Sequence, residues 1–523
     1  MGYLMAKALM VLGTGSGAGK SLIAAAFCRI FKHMGMKVAP FKAQNMALNS
    51  FITEGGGEIG RAQALQAEAA GVAPTVDMNP VLLKASGEMG SQVILRGRVH
   101  AMMKATEYYA FRKEAWNVVK SSYAALAKDF DVIVLEGAGS PAEINLRDVD
   151  IVNIAMAKHA KAPALIVGDI DKGGVFASLY GTAKLLGRDS RYIKAFVINK
   201  FRGDIEILRP GLDMICNKTG IPVIGVLPYV HDLGLPEEDG LALPQGIKVR
   251  GQGAKEIRIV IVRLKYIANF TDFDPLSHEP DVELAYSTNP ADIENADMVI
   301  IPGTKNTVKD LLLLRERALD ESIRRAFSRG IEVMGMCGGY QMLGRKIFDP
   351  HHAESSHAEV DGFGLLNIET VFGREKTTCQ VEAEVTGFRD WGLGIGKEDA
   401  KTEHPNPNPL LRGYEIHMGR SSGDIGLFRI KRLSDDAACN IHHSTLLYDG
   451  SINKNCWGTY LHGIFDNNTF RRQLLNRIRE KKGLLPLPVT FDYAGAKEKA
   501  LDNLAKMVSE NLDMDFVKRM LKL

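Results

Sequence analysis

The sequence has little of several features that would place a protein in a class at once. Its formal net charge is +3 over 523 residues, too small to indicate binding to nucleic acid or to an acidic membrane surface. No apolar run reaches the ~18–20 residues that a membrane helix needs. There are six cysteines, and none form the Cys-x-x-Cys spacing of a zinc or redox site. We therefore expect neither nucleic acid nor a membrane as a partner, and we expect a reducing compartment, with the cytoplasm as the location.

The apolar pattern is that of an α/β protein. Short apolar runs alternate with longer helical patterns through the first half of the chain. Strands are predicted at 8–12, 132–135, 164–167, 196–198 and 223–226, with helices at 21–34 and 61–70. This alternation predicts a doubly wound parallel sheet, in which functional side chains lie at the carboxyl ends of the strands.

A polar, loop-rich stretch at 235–256 predicts a domain boundary. After it, strands predicted at 257–262, 298–301 and 331–334 restart the α/β pattern. We predict a first domain at 1–240, a linker at 241–256, a second domain at 257–480 and a helical tail at 481–523. The proline-rich stretch 392–408 is predicted to be a surface insertion.

A glycine-rich loop follows the first predicted strand and opens a helix. Its sequence is Gly13-Thr-Gly-Ser-Gly-Ala-Gly-Lys-Ser21, although the strict phosphate-loop pattern has glycine where Thr14 stands. Glycines let backbone N–H groups surround phosphate oxygens at a helix N-terminus. A plain turn is the alternative. The predicted ATP-binding residues of the loop are Thr14, Gly15, Gly17, Gly19, Lys20 and Ser21.

Acidic side chains end two neighbouring predicted strands. Glu136 ends the strand at 132–135, and we predict that it binds Mg²⁺ together with Ser21, because Mg²⁺ prefers oxygen ligands. Asp169 and Asp171 follow another strand, where they either bind metal or substrate or cap the next helix. Asn199 ends a further strand, where it either contacts the adenine of ATP or forms a turn.

The second half contains a cysteine on a predicted strand–turn–helix elbow, Gly335-Met-Cys-Gly-Gly-Tyr-Gln341. A helix N-terminus lowers a thiol pKa and offers N–H groups to an oxyanion, so Cys337 is the predicted nucleophile. A thiolate nucleophile needs a base, and His462 is the candidate. Backbone N–H groups near Gly338 and Gly303 are the predicted oxyanion donors, although the turn at Gly303 has a plain structural alternative.

Longer segments resemble the cobyric acid synthases, glutamine-dependent enzymes of cobalamin biosynthesis, over nearly the whole chain. The first half contributes Pro40-Phe-Lys-Ala-Gln-Asn-Met46, Glu58-Ile-Gly-Arg-Ala-Gln63, Glu136-Gly-Ala-Gly-Ser-Pro-Ala-Glu-Ile-Asn-Leu146, Gly168-Asp-Ile-Asp-Lys-Gly-Gly-Val-Phe176 and Val197-Ile-Asn-Lys-Phe-Arg-Gly-Asp204. The second half contributes Cys337-Gly-Gly-Tyr-Gln-Met-Leu-Gly344, Gly413-Tyr-Glu-Ile-His-Met-Gly419 and Gly458-Thr-Tyr-Leu-His-Gly-Ile-Phe465.

The resemblance implies an N-terminal amide synthetase domain similar to dethiobiotin synthetase and a C-terminal domain similar to class I glutamine amidotransferases. It implies that ATP and Mg²⁺ drive amidation of the b, d, e and g carboxylates of adenosylcobyrinic acid a,c-diamide, through acyl phosphates. Asp171 then joins the metal-binding residues. The implied glutamine-binding residue is Gln341, and the implied corrinoid-binding residues are Lys42, Gln44, Asn45 and Arg61.

One departure concerns the catalytic histidine. Class I glutaminases usually have His-x-Glu, with the Glu orienting the His, whereas residue 464 here is Ile. We expect either a backbone carbonyl or a distant acid to orient His462. Three rival functions remain: a synthase that amidates only the a and c carboxylates, a partition-type ATPase, and a binding protein without activity.

Overall fold

The computed structural model describes residues 6–85, 90–236, 246–248, 255–386, 410–433 and 447–523. At 246–248 it describes the backbone alone. The predicted insertion at 392–408 and most of the predicted linker at 241–256 lie outside these residues. Within the described part of the chain, no helix has the length and apolar character needed to cross a membrane.

The chain forms two compact units. The first comprises Met1–Ala47, Glu58–Glu238 and Lys497–Leu523, and the second comprises Leu48–Gly57 and Asp239–Ala496. This division differs from the predicted one in two places. The segment Leu48–Gly57, predicted in the first domain, belongs to the second unit. Lys497–Leu523, the end of the predicted helical tail, belongs to the first unit.

The first unit is built on a six-stranded parallel sheet whose strands are almost entirely buried, as their unbroken apolar sequences require. In spatial order the strands are Val223–Pro228, Ile193–Phe201, Ala164–Asp169, Lys7–Gly13, Val132–Glu136 and Val38–Phe41. The first of these strands in the sequence, Lys7–Gly13, lies inside the sheet, with later strands on both sides of it. The predicted doubly wound sheet is therefore confirmed, with its topological switch point beside the glycine-rich loop.

Helices and a smaller sheet complete the first unit. The helices are Lys20–His33, Arg61–Ala70, Ala105–Asp129, Ile154–His159, Val175–Leu185, Ile205–Thr219, Met514–Leu521 and most of Tyr493–Asn511, with 3₁₀ turns at Val76–Met78, Ile144–Val149 and Gly187–Tyr192. The smaller sheet contains Gln44–Met46, Val81–Ala85, Ser91–Leu95 and Arg98–Met103, and a short strand lies at Glu58–Gly60.

The second unit also has a mainly parallel sheet at its centre. In spatial order its strands are Gly246–Lys248, Val282–Ser287, Ile257–Val262, Met298–Ile301, Glu332–Met336, Cys456–Thr459 and Ser451–Asn453, and both edge strands are antiparallel. The helices are Asp274–Ser277, Pro290–Glu294, Thr307–Glu316, Leu319–Ser328, Gly338–Leu343 and Asn468–Lys481, with 3₁₀ turns at Phe270–Phe273 and Ile464–Asp466.

A second sheet of this unit supplies one wall of the predicted thiol site. In spatial order its strands are Glu359–Asp361, Lys346–Phe348, Ile368–Val385, Leu411–Gly423 and Leu461–His462. Phe428–Arg432 also pairs with Ile368–Val385, and Leu447–Asp449 pairs with Phe428–Arg432. A further strand of this unit lies at Ser50–Ile52. The strand Leu411–Gly423 pairs with Leu461–His462, Tyr414 lying opposite His462. The fold thereby fixes the predicted catalytic histidine at a sheet edge.

Candidate active sites

The glycine-rich loop lies between the strand Lys7–Gly13 and the helix Lys20–His33, as predicted. Gly17 and Gly19 have φ of 74° and 99°, a left-handed conformation that side chains disfavour. The Asn199 amide donates to the carbonyl of Ala18 at 2.9 Å, and the N–H of Thr14 donates to Val167 at 2.9 Å. Asn199 thus supports the loop from the strand Ile193–Phe201, which is separated from Lys7–Gly13 by one strand.

Lys20 and Ser21 both point towards the end of the strand that carries Glu136. The Lys20 amine donates to the carbonyls of Gly15 at 2.8 Å and Gly139 at 3.2 Å, so it lies across the loop. The Ser21 hydroxyl donates to Glu136 Oε1 at 2.7 Å. Hydroxyl and carboxylate oxygens therefore converge where the loop meets the helix, which is the oxygen-rich ligand set that suits Mg²⁺.

Glu136 is a buried carboxylate surrounded by donors. Lys42 Nζ lies 2.9 Å from its Oε1, while the side-chain amides of Gln63 and Gln66 donate to Oε2 at 3.3 and 2.6 Å. A buried carboxylate requires such pairing, because an isolated one is very costly to desolvate. Lys42, predicted from the resemblance to bind substrate, thus lies at the nucleotide end of the unit.

The two other predicted acidic residues pair with cations. Asp169 Oδ2 lies 2.8 Å from Lys200 Nζ, and Asp171 Oδ1 lies 3.1 Å from the Arg202 guanidinium. The backbone N–H of Asp171 also donates to Asp169 at 3.0 Å, whereas the residue at the N-cap of the next helix is Gly174 and neither aspartate. Across the described ranges, no three His, Cys, Asp or Glu side chains gather in a way that could hold a metal ion.

A cavity of about 880 Å³ lies in the first unit and includes Gly139, whose carbonyl Lys20 contacts. Gln44 lines it and accepts a hydrogen bond from the Tyr108 hydroxyl at 2.5 Å. Asn45 and Arg61 do not line it: Asn45 donates to Gln63, and Arg61 lies 3.7 Å from Glu68. Of the four predicted corrinoid-binding residues, only Gln44 is in its wall.

Arg112 is the buried cation of this cavity wall. Its side chain is on the helix Ala105–Asp129, and no carboxylate in the described part of the chain lies within salt-bridge distance of it. Burial lowers its pKa, against the attraction of Tyr108 and Asp150. An arginine guanidinium stays charged even so, because proteins do not deprotonate it. Arg112 therefore supplies a fixed positive charge to a wall that also contains carboxyl groups, among them that of Asp150.

Cys337 occupies the predicted elbow between the strand Glu332–Met336 and the helix Gly338–Leu343. Its φ of 53° and ψ of −110° are strained for a residue with a side chain, and such strain is typical of nucleophile elbows. Its N–H donates to Thr459 at 2.9 Å, and its thiol donates to the carbonyl of Ile416 at 3.4 Å. The sulfur is thereby held between two strands, beside a helix N-terminus.

The predicted oxyanion residues adjoin the cysteine. A Cβ added to Gly303 would lie 3.7 Å from Cys337 Cβ and 3.4 Å from His462 Cε1. A Cβ added to Gly338 would lie 3.3 Å from the backbone nitrogen of Thr304. The turn at Gly303 therefore lies beside both catalytic side chains, and Gly338 approaches Thr304 so closely that an added Cβ would lie 2.7 Å from Thr304 Cγ2.

His462 is oriented by Asp272, which settles the question that Ile464 left open in favour of a distant acid. His462 Nδ1 donates to Asp272 Oδ2 at 2.6 Å, and Asp272 Oδ1 accepts from the N–H of Gly463 at 3.0 Å. The hydrogen bond fixes the tautomer by engaging Nδ1. The other ring nitrogen, Nε2, is buried and has no hydrogen-bond partner among the described residues. Nε2 is thus the nitrogen available to the thiol.

The charge of Asp272 also changes the acidity of His462. Burial lowers the pKa of His462, but the Asp272 carboxylate and the neighbouring Cys337 outweigh burial and raise it from 6.5 to about 10. The imidazole is therefore protonated at neutral pH and is ready to donate a proton. An imidazolium beside a cysteine is the arrangement that thiol-dependent acyl transfer uses.

Gln341, predicted to bind glutamine, lies next to the thiol in a buried network. It accepts from the Thr307 hydroxyl at 3.2 Å and donates to the Tyr460 hydroxyl at 3.1 Å. Tyr460 in turn contacts the Ser421 hydroxyl at 2.7 Å, and its ring stacks on His417 with centroids 3.9 Å apart. The oxygen and the nitrogen of the Gln341 side-chain amide therefore both have hydrogen-bond partners within the protein.

Two family models match the two halves of this chain. The CobQ/CobB/MinD/ParA nucleotide binding domain matches residues 9–243, and the CobB/CobQ-like glutamine amidotransferase domain matches residues 258–470. The cobyric acid synthase of Thermodesulfovibrio yellowstonii is 48% identical over 98% of this chain and 99% of its own length. The cobyric acid synthase of Syntrophobacter fumaroxidans is 47% identical over 99% of this chain and 99% of its own length. That of Salmonella typhimurium is 46% identical over 98% of this chain and 97% of its own length.

The chain belongs to the cobyric acid synthase family. It is accordingly an enzyme, an amide ligase with a nucleotide-binding domain and a glutamine amidotransferase domain. The predicted fold class, a phosphate-loop α/β domain followed by a glutaminase-like α/β domain, is confirmed. The rival predictions of a partition-type ATPase and of a binding protein without activity are wrong for a cobyric acid synthase.

Sequence reasoning did not find Asp272, Tyr414 or Arg112. A distant acid was one of two expectations, but the sequence does not identify which one, because Asp272 is 190 residues before His462 and no motif contains both. Tyr414, whose ring stacks on His462 with centroids 5.2 Å apart, lies in the segment Gly413–Gly419 that carries the family resemblance. That segment was the available signal for Tyr414, and none in the sequence singled out Arg112.

Proposed function

We propose that this enzyme hydrolyses glutamine at Cys337 and uses the ammonia, with ATP, to amidate the b, d, e and g carboxylates of adenosylcobyrinic acid a,c-diamide. The observation that carries the proposal is the arrangement of Cys337, His462 and Asp272 in a chain that also holds a phosphate loop. A glutaminase joined to a nucleotide site can form amides from carboxylates, because ATP activates the carboxylate and the released ammonia displaces the phosphate.

The glutaminase reaction follows from the geometry around Cys337. The thiolate attacks the side-chain carbonyl of glutamine, while N–H groups at the turns of Gly303 and Gly338 hold the oxyanion. The C–N bond breaks, and ammonia leaves with a proton from His462 Nε2. His462, now neutral, takes a proton from water, which hydrolyses the thioester and releases glutamate. Asp272 holds the imidazole in the required tautomer throughout.

The amide-forming reaction uses the first unit. A substrate carboxylate attacks the γ-phosphorus of ATP, the bond to the β-phosphate oxygen breaks, and an acyl phosphate forms. Lys20 lies along the loop, where it neutralises charge on the transferred group, and Ser21 and Glu136 are the residues that would hold Mg²⁺. When bound, Mg²⁺ supplies positive charge opposite the phosphate oxygens. Ammonia then attacks the acyl carbon, phosphate leaves, and the amide remains.

The cavity beside Gly139 is the proposed corrinoid site. Its volume of about 880 Å³ is in the range of large ligand pockets, and its wall contains Gln44 and the buried guanidinium of Arg112. A guanidinium fits a carboxylate with two parallel hydrogen bonds, and an amide can contact either a carboxylate or a carboxamide. These two side chains suit a substrate that bears several carboxylates and amides.

The choice of acceptor is tested by offering the purified enzyme either cobyrinic acid or its adenosylated a,c-diamide, with ATP, Mg²⁺ and glutamine. We expect amide formation only on the a,c-diamide. Two amides added to cobyrinic acid, with no reaction on the a,c-diamide, would assign the chain to the sister synthase that modifies the a and c carboxylates.

A further inference from the structure

A short segment of the first half of the chain is part of the second unit. Leu48–Gly57 belongs to that unit, although the chain on either side, through Ala47 and from Glu58, belongs to the first. Asn49, Ser50 and Ile52 are 2%, 1% and 0% exposed. These residues are therefore packed in the interior, whereas the turn at Glu54 and Gly55 is exposed.

One end of the segment contacts the turn that carries Asp272. The N–H of Phe270 donates to Asn49 Oδ1 at 3.2 Å, and the N–H of Ser50 donates to Asn269 Oδ1 at 2.9 Å. Asn269 precedes the 3₁₀ turn Phe270–Phe273 with φ of 53° and makes no side-chain cap of its own. The first N–H groups of a helical turn need acceptors, so Asn49 acts as the cap from a distant part of the sequence.

The same segment contacts the opposite side of the catalytic pair. The Tyr414 hydroxyl donates to the carbonyl of Ser50 at 3.3 Å, and Ile52 forms an apolar cluster with Tyr414 and Ile416. Tyr414 stacks on His462, and Ile416 accepts the hydrogen bond from the Cys337 thiol. The segment therefore contacts both Tyr414, which packs on the imidazole, and Ile416, whose carbonyl accepts from the thiol.

We propose that Asn49 and Ser50 are positioning residues for glutamine hydrolysis. They hold the turn of Asp272 and the ring of Tyr414, and through these they fix the orientation of His462. Neither residue touches the thiol or the imidazole, so their effect passes through Asn269, Asp272 and Tyr414. This inference rests on the proposed glutaminase role of Cys337.

Removal of the Asn49 side chain has a specific expected consequence. Asn49→Ala leaves the buried N–H of Phe270 without this acceptor, so the turn and its carboxylate gain freedom to move. A small displacement of a catalytic group lowers the rate strongly without changing substrate affinity in proportion. A weaker contact with Asp272 also lowers the pKa of His462, because that carboxylate is what raises it against burial.

The test measures glutamate release from glutamine by the full-length enzyme, with ATP and corrinoid present, as a function of glutamine concentration and pH. For Asn49→Ala we expect kcat to fall by about 10–100-fold while KM changes by less than about twofold. The alkaline limb of the kcat profile should move to lower pH. Asn49→Asp keeps an acceptor oxygen at the same place and should recover most of the rate.

The matched control is Thr378→Ala. Thr378 donates to the carbonyl of Gly56 at 2.7 Å, so this variant loosens the far end of the same segment without touching the Asp272 turn. We expect wild-type kcat and an unchanged pH profile. Asn269→Gly is the second test variant. Glycine accepts the left-handed φ, but the side-chain contacts with the N–H of Ser50 and with His462 Nδ1, 3.5 Å away, are both lost, so we expect kcat to fall at least as much as in Asn49→Ala.

Two results would overturn the inference. One is that Asn49→Ala and Asn269→Gly keep the wild-type kcat and pH profile, as expected for Thr378→Ala. The other is a loss of kcat with an unshifted pH profile and no recovery in Asn49→Asp, which indicates general destabilisation. A wild-type enzyme that releases no glutamate would instead overturn the proposed function, and this inference with it.

Discussion

The imidazole of His462 donates from Nδ1 to the carboxylate of Asp272 at 2.6 Å, across 190 residues of sequence. Asp272 thus takes the orienting role that glutaminases with a His-x-Glu sequence give to the residue two positions after the histidine. Because the acid is on a 3₁₀ turn and the histidine is on a strand edge, the pair depends on tertiary packing of the second unit. Its contribution can be measured directly.

Asp272→Asn should lower kcat for glutamine hydrolysis by about 10²–10⁴-fold, with a much smaller change in KM. The amide keeps the shape of the side chain but favours the wrong imidazole tautomer and removes the charge that stabilises the imidazolium. Glutamate release under saturating glutamine is the measurement. Asp274→Asn, two residues along the same segment, is the comparison, and an equal effect of the two changes would contradict the orienting role.

The His462–Asp272 pair should also make stability depend on pH. The pKa of His462 is raised to about 10 in the folded enzyme from an ordinary value of 6.5, so the folded state binds the proton more tightly. Its stabilisation is complete below about pH 6.5 and is lost as pH rises towards 10. Denaturant unfolding of wild type and Asp272→Asn should therefore differ most at pH 6 and least at pH 10. A difference that grows with pH would refute the raised pKa.

Cys337→Ala should separate the two nitrogen sources. Glutamine-driven amidation should fall roughly 10³-fold or more, because no other thiol takes the place of a lost nucleophile. Amidation driven by added ammonium chloride should stay near the wild-type rate, since the synthetase reaction does not use the thiol. Cys456→Ala removes another buried cysteine of the same unit and serves as the control. Equal loss with both nitrogen sources would show that Cys337 is not confined to glutamine hydrolysis.

Lys20→Ala should abolish amidation from both nitrogen sources, with a loss of about 10²-fold or more, since Lys20 is the cation aligned along the phosphate loop. The measurement is ADP release in the presence of corrinoid and ammonium chloride. Lys194→Ala, which changes an exposed lysine of the same unit, should leave ADP release unchanged. Undiminished activity in Lys20→Ala would remove the loop from the nucleotide site.

Arg112→Gln should raise KM for the corrinoid by roughly tenfold, because a charge-assisted contact to a substrate carboxylate is lost. KM for ATP should remain unchanged, and Arg112→Lys should give an intermediate value because it keeps the charge but not the paired geometry. Initial rates at varied corrinoid concentration provide the comparison. An increase in KM for ATP instead would place Arg112 at the nucleotide.

Local signals explain why the sequence predicted so much of this fold. The strands Lys7–Gly13 and Val132–Glu136 are unbroken apolar runs that end in glycine or an acid, and the glycine loop and the Cys337 elbow are continuous in sequence. Each can be recognised without knowing its neighbours. Five of the six strands of the first-unit sheet and the elbow were therefore predicted in their correct places, whereas the edge strand Val38–Phe41 was not predicted.

Contacts between distant segments could not be predicted in this way. Asp272 and His462 meet only because a 3₁₀ turn packs against a strand, and no spacing rule links them. Leu48–Gly57 is another example, since nothing in its composition shows that it packs in the second unit. Lys42 shows the same limit: the resemblance implied a substrate contact, whereas in the structure its amine lies 2.9 Å from Glu136.

The most direct test of the account follows the nitrogen. Wild-type enzyme is incubated with adenosylcobyrinic acid a,c-diamide, ATP, Mg²⁺ and glutamine labelled with ¹⁵N in the side-chain amide, and the corrinoid is examined by mass spectrometry. The account predicts one labelled nitrogen at each of the b, d, e and g positions, and none with Cys337→Ala unless ammonium is added. Hydrolysis of ATP with no label in the corrinoid would contradict it.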